Sequence, residues 1–591
     1  MIRWTILFTL FFLTFCDAQK QISNMTKTEF ITPFEKNKNT TATYQEAIAY
    51  YEKLAGAFPQ MQLSTHGMTD SGYPLHTVAI SKDGDFDPLS IRKKGKQILF
   101  INNAIHAGEP CGVDASMMLW RDVIEKKEFQ NLIENTVVVV IPMYNLGGVL
   151  NRNSHTRTNQ NGPESYGFRG NAKNLDLNRD FIKCDSKNAQ TFNQIFNRWQ
   201  PDVFVDNHTS NGADYQYTMT LIPTQHNKLD SNLAEYLNKE MLPQLFDGMK
   251  KANWEMTPYV YARSTPDDGI AGFLDLPRYS SGYAALHNAI SFMPETHMLK
   301  PFPDRVMSTY HFMKTMLETM AKDGDKIRAA KNKAISNTKT KKTFDLNWTM
   351  DGSKSDKIMF KGYEAKKKPS LISGKPRLYY DHNEPFEKEI DHFNYYKTSA
   401  SVEKPVAYIF PQAYSEIVDR LRWNNVEVKR LKNDVSIEME MYRIKDFKTR
   451  EQPYESHYLH SGVQVEKLSQ KRNYSKGDYV VYVNQVSNRY IVETLEPTAP
   501  DSYFAWNFFD GILQQKEYFS SYVFEDLAVE ILNKNPDLKK QLEERKASDE
   551  QFRESGRAQL DFIYKNSPHY EPTHRVYPVG RILKNVQLDL Q

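Results

Sequence analysis

His106 and Glu109, in the tetrapeptide HAGE, stand three residues apart between the apolar run QILFINN and Pro110. In a strand-to-helix turn an imidazole and a carboxylate at this spacing can both reach one cation, whereas on a strand they would face opposite sides. The pair alone is weak: a surface histidine beside a helix-start glutamate, favoured there by the helix dipole, explains it equally well. His208 ends a second strand-like run, DVFVDNH. It would complete a His, Glu, His set with a fourth position open to water, which suits a catalytic zinc site rather than a structural one closed by cysteine. The segment RGNAKNLDLNR, Arg169 to Arg179, gathers two arginines and Asp176 in a compact polar stretch. Finally, AISFMPE is an apolar strand ending on Glu295. That carboxylate is too costly to bury unpaired, so it is expected to face a cleft.

These residues need elements to hold them. TYQEAIAYYEKLAGAF, residues 43–58, has apolar and aromatic positions at helical spacing, and LSTHGMTDSGYPLHTVAIS predicts two strands around a turn at Ser71 and Gly72. QILFINN, VVVVIPMYN, DVFVDNH and AISFMPE are short apolar runs bounded by polar turns, and ASMMLWRDVIEK and AQTFNQIFNRWQ between them have helical periodicity. The alternation predicts an α/β domain with a mixed central sheet flanked by helices, whose sites collect at the carboxyl ends of strands. A helix over Ser308 to Met320 is followed by the lysine-rich stretch 321–344, expected to be a helix tail and then a linker. A domain boundary is expected near Phe344, giving a first domain over 19–343 and a smaller α/β or α+β domain over 344–591. In the latter, residues 405–431 read as strand, helix, strand, GDYVVYVNQ as a strand, and Glu525 to Arg553 as helical.

With 591 residues the chain suits about two to four domains. A charged fraction of 25% and an aromatic fraction of 13% favour globular folding over disorder. The formal net charge of +3 makes no general electrostatic case for nucleic acid or an anionic membrane as partner. Arg3, the apolar run Ile6 to Phe15 and small Ala18 form a secretory signal pattern over residues 1–18, so the mature chain is expected to be secreted or periplasmic. The run is shorter than the roughly 20 apolar residues that span a bilayer, and no later stretch could span one. Beyond Cys16 only Cys111 and Cys184 remain, too few for a disulfide framework, and their pairing is open.

The pieces HAGE, RGNAKNLDLNRDF, DNH and SFMPET, in this order, resemble the zinc metallocarboxypeptidase family, and the second piece most resembles its carboxypeptidase E-like branch. The resemblance extends over roughly Tyr44 to Met320. It implies one Zn²⁺ held by His106, Glu109 and His208, with Asp176 orienting His106. It further implies that Asn178 and Arg179 hold a substrate's terminal carboxylate, that Arg169 stabilises an oxyanion, and that Glu295 is the general base. Pro294 departs from the family pattern; by removing a ladder donor it is expected to shift that base slightly. The family's mobile tyrosine has two counterparts in RYSSGY, Tyr279 and Tyr283. Both are nearer Glu295 than the pattern asks, and Tyr279 is favoured for its following Ser-Ser-Gly. The implied activity is hydrolysis of the last bond of a peptide or protein with a free C-terminus. Its rivals are a zinc amidase or peptidase of cell-wall peptides and a catalytically degenerate peptide-binding protein.

Overall fold

The computed structural model describes residues 30–591; the signal pattern over 1–18 lies outside the described residues. Thr43 and Glu46 close a capping box at the start of helix α1 (Tyr44–Ala57), which buries Ala47, Tyr50, Tyr51 and Leu54 at helical spacing. Strands β1 (Met61–Met68) and β2 (Pro74–Ile80) pair antiparallel around Gly72, whose positive φ of 79° suits the tight turn. Then follow β3 (Gln97–Asn102), helix α2 (Cys111–Glu125), β4 (Thr136–Ile141), helix α3 (Lys187–Trp199), β5 (Val203–Asp206), β6 (His208–Ser210), β7 (Met219–Pro223), β8 (Met256–Pro258), the two-residue β9 (Ile270–Ala271), helix α4 (Ser280–Leu286) and β10 (Ile290–His297).

Their sheet has the order β1-β2-β4-β3-β5-β10-β7-β8, with β6 also on β10. β3, β4, β5 and β10 run parallel, while β1, β2 and β7 have antiparallel neighbours. β3, β4 and β5 are buried at every position, as the unbroken apolar runs require of strands covered on both faces. The consequence for the site is direct: parallel β3, β5 and β10 end at one edge of the sheet.

The expected linker is corrected. Helix α5 (Phe302–Thr340) runs 39 residues, with one non-helical residue at Asp323, and only Lys341 and Lys342 separate it from the next strand. The lysines lie mainly on its outer side, while Ile327, Ala334 and Thr338 are buried at helical spacing; charge density hid a helix already carrying an inward face. No helix among the described residues is long and apolar enough to cross a membrane. Cys111 and Cys184 are free and buried.

The second half is mixed α and β. β11 (Thr343–Met350) pairs with β14 (Tyr396–Glu403), and between them a long ribbon, β12 (Asp356–Pro369) and β13 (Pro376–Phe393), attaches to β9. A six-stranded sheet follows, built from β15 (Ala407–Phe410), β16 (Lys429–Arg430), β17 (Val435–Thr449), β18 (His460–Tyr474), β19 (Tyr479–Tyr482) and β20 (Gly580–Ile582), with helices α6 (Ser415–Trp423) and α7 (Asn488–Leu495). Residues 521–565 form helices with a small core of their own around Phe524, Phe552 and Ile563. Phe344 begins a new sheet but not a new core: Tyr408, Phe410, Leu421 and Trp506 share one buried cluster with Phe100, Phe192 and Phe204 of the first half.

Candidate metal centre and active site

At the carboxyl edge, β3 turns through Ala104, a left-handed residue at φ 56°, into His106 and Glu109, where the Glu109 N–H donates to the His106 carbonyl (2.9 Å) before α2 begins. His208 opens β6, and its Cα partner on the neighbouring parallel strand is Glu295. His106, Glu109 and His208 are all buried, and one ligand atom from each lies within 4.8 Å of the others. Both imidazoles present Nδ1 to the carboxylate, His106 at 3.1 Å from Oε1 and His208 at 3.2 Å from Oε2.

The far nitrogens explain why. His106 Nε2 lies 3.0 Å from Asp176 Oδ1, and His208 Nε2 lies 3.0 Å from Asp206 Oδ2. A carboxylate there holds the Nε2 proton, fixes the ring and leaves Nδ1 basic toward the centre. Two such nitrogens and one carboxylate are a donor set suited to Zn²⁺ with a position to spare. Burial would raise the Glu109 pKa, but His106 and Arg157 outweigh it and hold the carboxyl well below its usual range. Asp206→Asn is expected to weaken zinc binding by roughly 10- to 100-fold, read by competition with a chromogenic chelator.

Around this centre is a cleft of about 300 Å³, lined among others by Arg157, Arg169, Asn178, Arg179, Tyr259, Tyr279 and Glu295. Arg169 donates through Nε and Nη2 to Asp176 Oδ2 (3.1 and 2.8 Å), and its Nη1 lies 3.6 Å from Glu109. Asn178 Oδ1 accepts the Ser280 N–H (2.9 Å), which commits the oxygen and leaves the NH2 end as its donor. Arg179 donates to the Asn178 carbonyl (2.7 Å) and lies over the Tyr279 ring, 4.5 Å from its centroid.

Of the two candidate tyrosines, Tyr279 is in the cleft. Tyr283 is wholly buried, donating to Asn424 (2.6 Å) and packed on Phe181 and Phe196. Pro294 does not displace Glu295 from the cleft. The Leu221 carbonyl accepts from Tyr259, so Leu221 and its register partner Pro294 form a non-hydrogen-bonded pair across β7 and β10. The proline nitrogen therefore faces the break between β5 and β6, where the ladder is already interrupted. Burial first, and Glu109 after it, push the Glu295 carboxyl up to about 7 against the pull of His208.

Several residues of the site carry no sequence signal of their own. Arg157 donates to Glu109 Oε1 (2.9 Å) and to the Thr209 carbonyl (3.1 Å). Tyr259, Ile222, Phe273, Met293 and Met298 supply the less polar part of the cleft. Glu455 comes from the second half of the chain: its carboxylate accepts the Asp176 N–H at 2.8 Å. It sits in the turn Tyr454 to His457, where Glu455 and Ser456 are both left-handed, at φ 52° and 69°. His457 on Asp185 (2.7 Å) anchors that turn. Asp206 alone was discoverable, as the residue two before His208 on the same strand face.

Residues 47–239 match the family model for zinc carboxypeptidase, Peptidase_M14. Over these residues the chain is similar to the zinc carboxypeptidase family. Similar solved structures include a metallo-carboxypeptidase from Pseudomonas aeruginosa in complex with (2-guanidinoethylmercapto)succinic acid (15% identity, 49% of this chain and 70% of that one, TM-score 0.37). Others are a metallo-carboxypeptidase from Burkholderia cenocepacia (15%, 47% and 70%, TM-score 0.36) and the carboxypeptidase A from Helicoverpa armigera (16%, 49% and 75%, TM-score 0.37). No curated protein matches the sequence significantly. The zinc carboxypeptidase match ends at residue 239, so Tyr259, Tyr279 and Glu295 join the site through the sheet and the loops beside it.

Proposed function

We propose that this protein is a zinc-dependent metallocarboxypeptidase that removes the last residue of peptides with a free C-terminus. One observation carries the reading: Asn178 and Arg179, an amide and a guanidinium, line the same cleft as the His106, Glu109, His208 centre and Glu295. A metal centre beside a base suits hydrolysis in general. Adding a fork of charged donors selects a substrate that ends in a carboxylate.

His106, Glu109 and His208 would hold the zinc, which when bound acts as a Lewis acid on the scissile carbonyl and on water. Arg179 and the Asn178 NH2 hold the terminal carboxylate and so fix which bond lies before Glu295. Glu295 takes the proton of the attacking water and returns it to the departing amine. Arg169, oriented by Asp176, meets the negative charge that develops on the carbonyl oxygen. Tyr279, over Arg179, covers the bound terminus.

The test compares peptide pairs that differ only in a free or amidated C-terminus, before and after chelation. Release of the last residue from the free-acid peptide alone, lost on chelation and restored by Zn²⁺, is the expected result. Equal cleavage of both members would remove the carboxylate role. Metal-independent cleavage would remove the zinc role.

A further inference from the structure

Between Gly362 and Ile390 the β12–β13 ribbon contains no buried residue. Its last ladder pairs, from Glu364↔Asp381 to Pro369↔Pro376, carry it about 20 Å beyond the last buried position at about 3.3 Å per residue. Charge is sorted along this arm. Glu384, Glu387 and Glu389 lie toward its base, whereas 366–377 holds Lys366, Lys367, Lys368, Lys375 and Arg377 and no acidic residue. Lys366 pairs with Asp381 and Glu384. Lys367, Lys368, Lys375 and Arg377 are exposed, with no carboxylate partner among the described residues.

At the crown, Leu371 and Ile372 are 97% and 98% exposed. The crown is internally bonded: the Ser370 N–H donates to the Lys375 carbonyl (2.8 Å) and the Gly374 N–H to the Ser370 carbonyl (2.9 Å). Ser370 Oγ accepts from the N–H groups of Ile372 and Ser373 (3.2 Å each). The two aliphatic side chains are thus held outward by a formed turn, at the end of a stalk whose unpaired charges over residues 366–377 are all cationic.

We propose that this crown is a docking surface for an anionic lipid bilayer, Leu371 and Ile372 entering the hydrocarbon edge while the four cations meet headgroup phosphates. A nucleic acid or another solvated polyanion would use the cations but gain nothing from two adjacent aliphatic residues; a bilayer uses both. Crown-to-crown pairing of two copies would set like charges against each other. The balanced charge of the whole chain conceals the feature, because the acidic residues that offset it lie elsewhere.

The test is cosedimentation of the full chain with vesicles of phosphatidylcholine, with and without phosphatidylglycerol. Binding to the mixed vesicles, released by salt and much weaker on phosphatidylcholine alone, is expected. At about fivefold per cation near an anionic surface, joint replacement of Lys367, Lys368, Lys375 and Arg377 by Gln weakens it on the order of 100-fold or more. Leu371→Ser with Ile372→Ser weakens it at least about tenfold. Unchanged circular dichroism and Tm identify folded variants. Absent binding by the parent chain, or binding that survives both sets of replacements, overturns the proposal. So does a crown variant that converts a dimer to a monomer in sedimentation equilibrium, or DNA binding that withstands Leu371→Ser with Ile372→Ser.

Discussion

Glu295→Gln is expected to lower kcat/KM for a free-acid peptide by roughly 10²- to 10⁴-fold, the range for loss of a positioned general base. The replacement keeps the shape of the side chain and removes its capacity to take a proton. Because Glu295 faces His208 across the β6–β10 ladder but is not one of the three ligands, bound zinc should remain stoichiometric. Metal content by mass spectrometry therefore separates a lost base from a lost centre. Hydrolysis at the parental rate would end the assignment. The sign of the pH dependence follows from the same group. In the proposed role Glu295 acts as the carboxylate, and its burial pushes the pKa up to about 7, so activity is expected to fall as pH drops through the acid limb. A cation at the neighbouring centre favours the ionised form and moves that limb below 7.

Arg179→Ala should damage recognition rather than chemistry. The guanidinium is held over Tyr279 and fastened to the Asn178 carbonyl, a geometry set before any substrate arrives. Losing one partner of a desolvated, hydrogen-bonded charge pair costs about 2–5 kcal/mol, or about 30- to 5000-fold in kcat/KM for a free-acid peptide. Amidated peptides never use that pair, so their rates should move little and the preference for the free acid should collapse. Arg179→Lys retains the charge without the planar fork and should recover only part of the loss. A preference that survives in the alanine variant would place the carboxylate elsewhere in the cleft.

What was legible in the sequence was what short-range pattern encodes. The unbroken apolar runs at Gln97 and Val137 announced strands buried on both faces, and HAGE and DNH sat where such strands must turn. Arg157 and Tyr259 were invisible because their meaning lies in contacts closed by the fold: Arg157 reaches Glu109 from 48 residues away. The lysine-rich stretch after Met320 misled for a different reason. Ile327, Ala334 and Thr338 make a narrow inward stripe, and the charge around it outweighed a pattern that was present. Pro294 looked disruptive because a one-dimensional reading cannot say to which side a missing N–H points.

Glu455 gives the molecule an internal clock. The backbone of Asp176, the partner of His106, is tied down by a residue 279 positions later. A ribosome translating this chain finishes His106, Glu109, His208 and Glu295 well before it reaches the turn that steadies their support. A nascent chain therefore holds His106, Glu109 and His208 while still lacking the Glu455 carboxylate that accepts the Asp176 N–H.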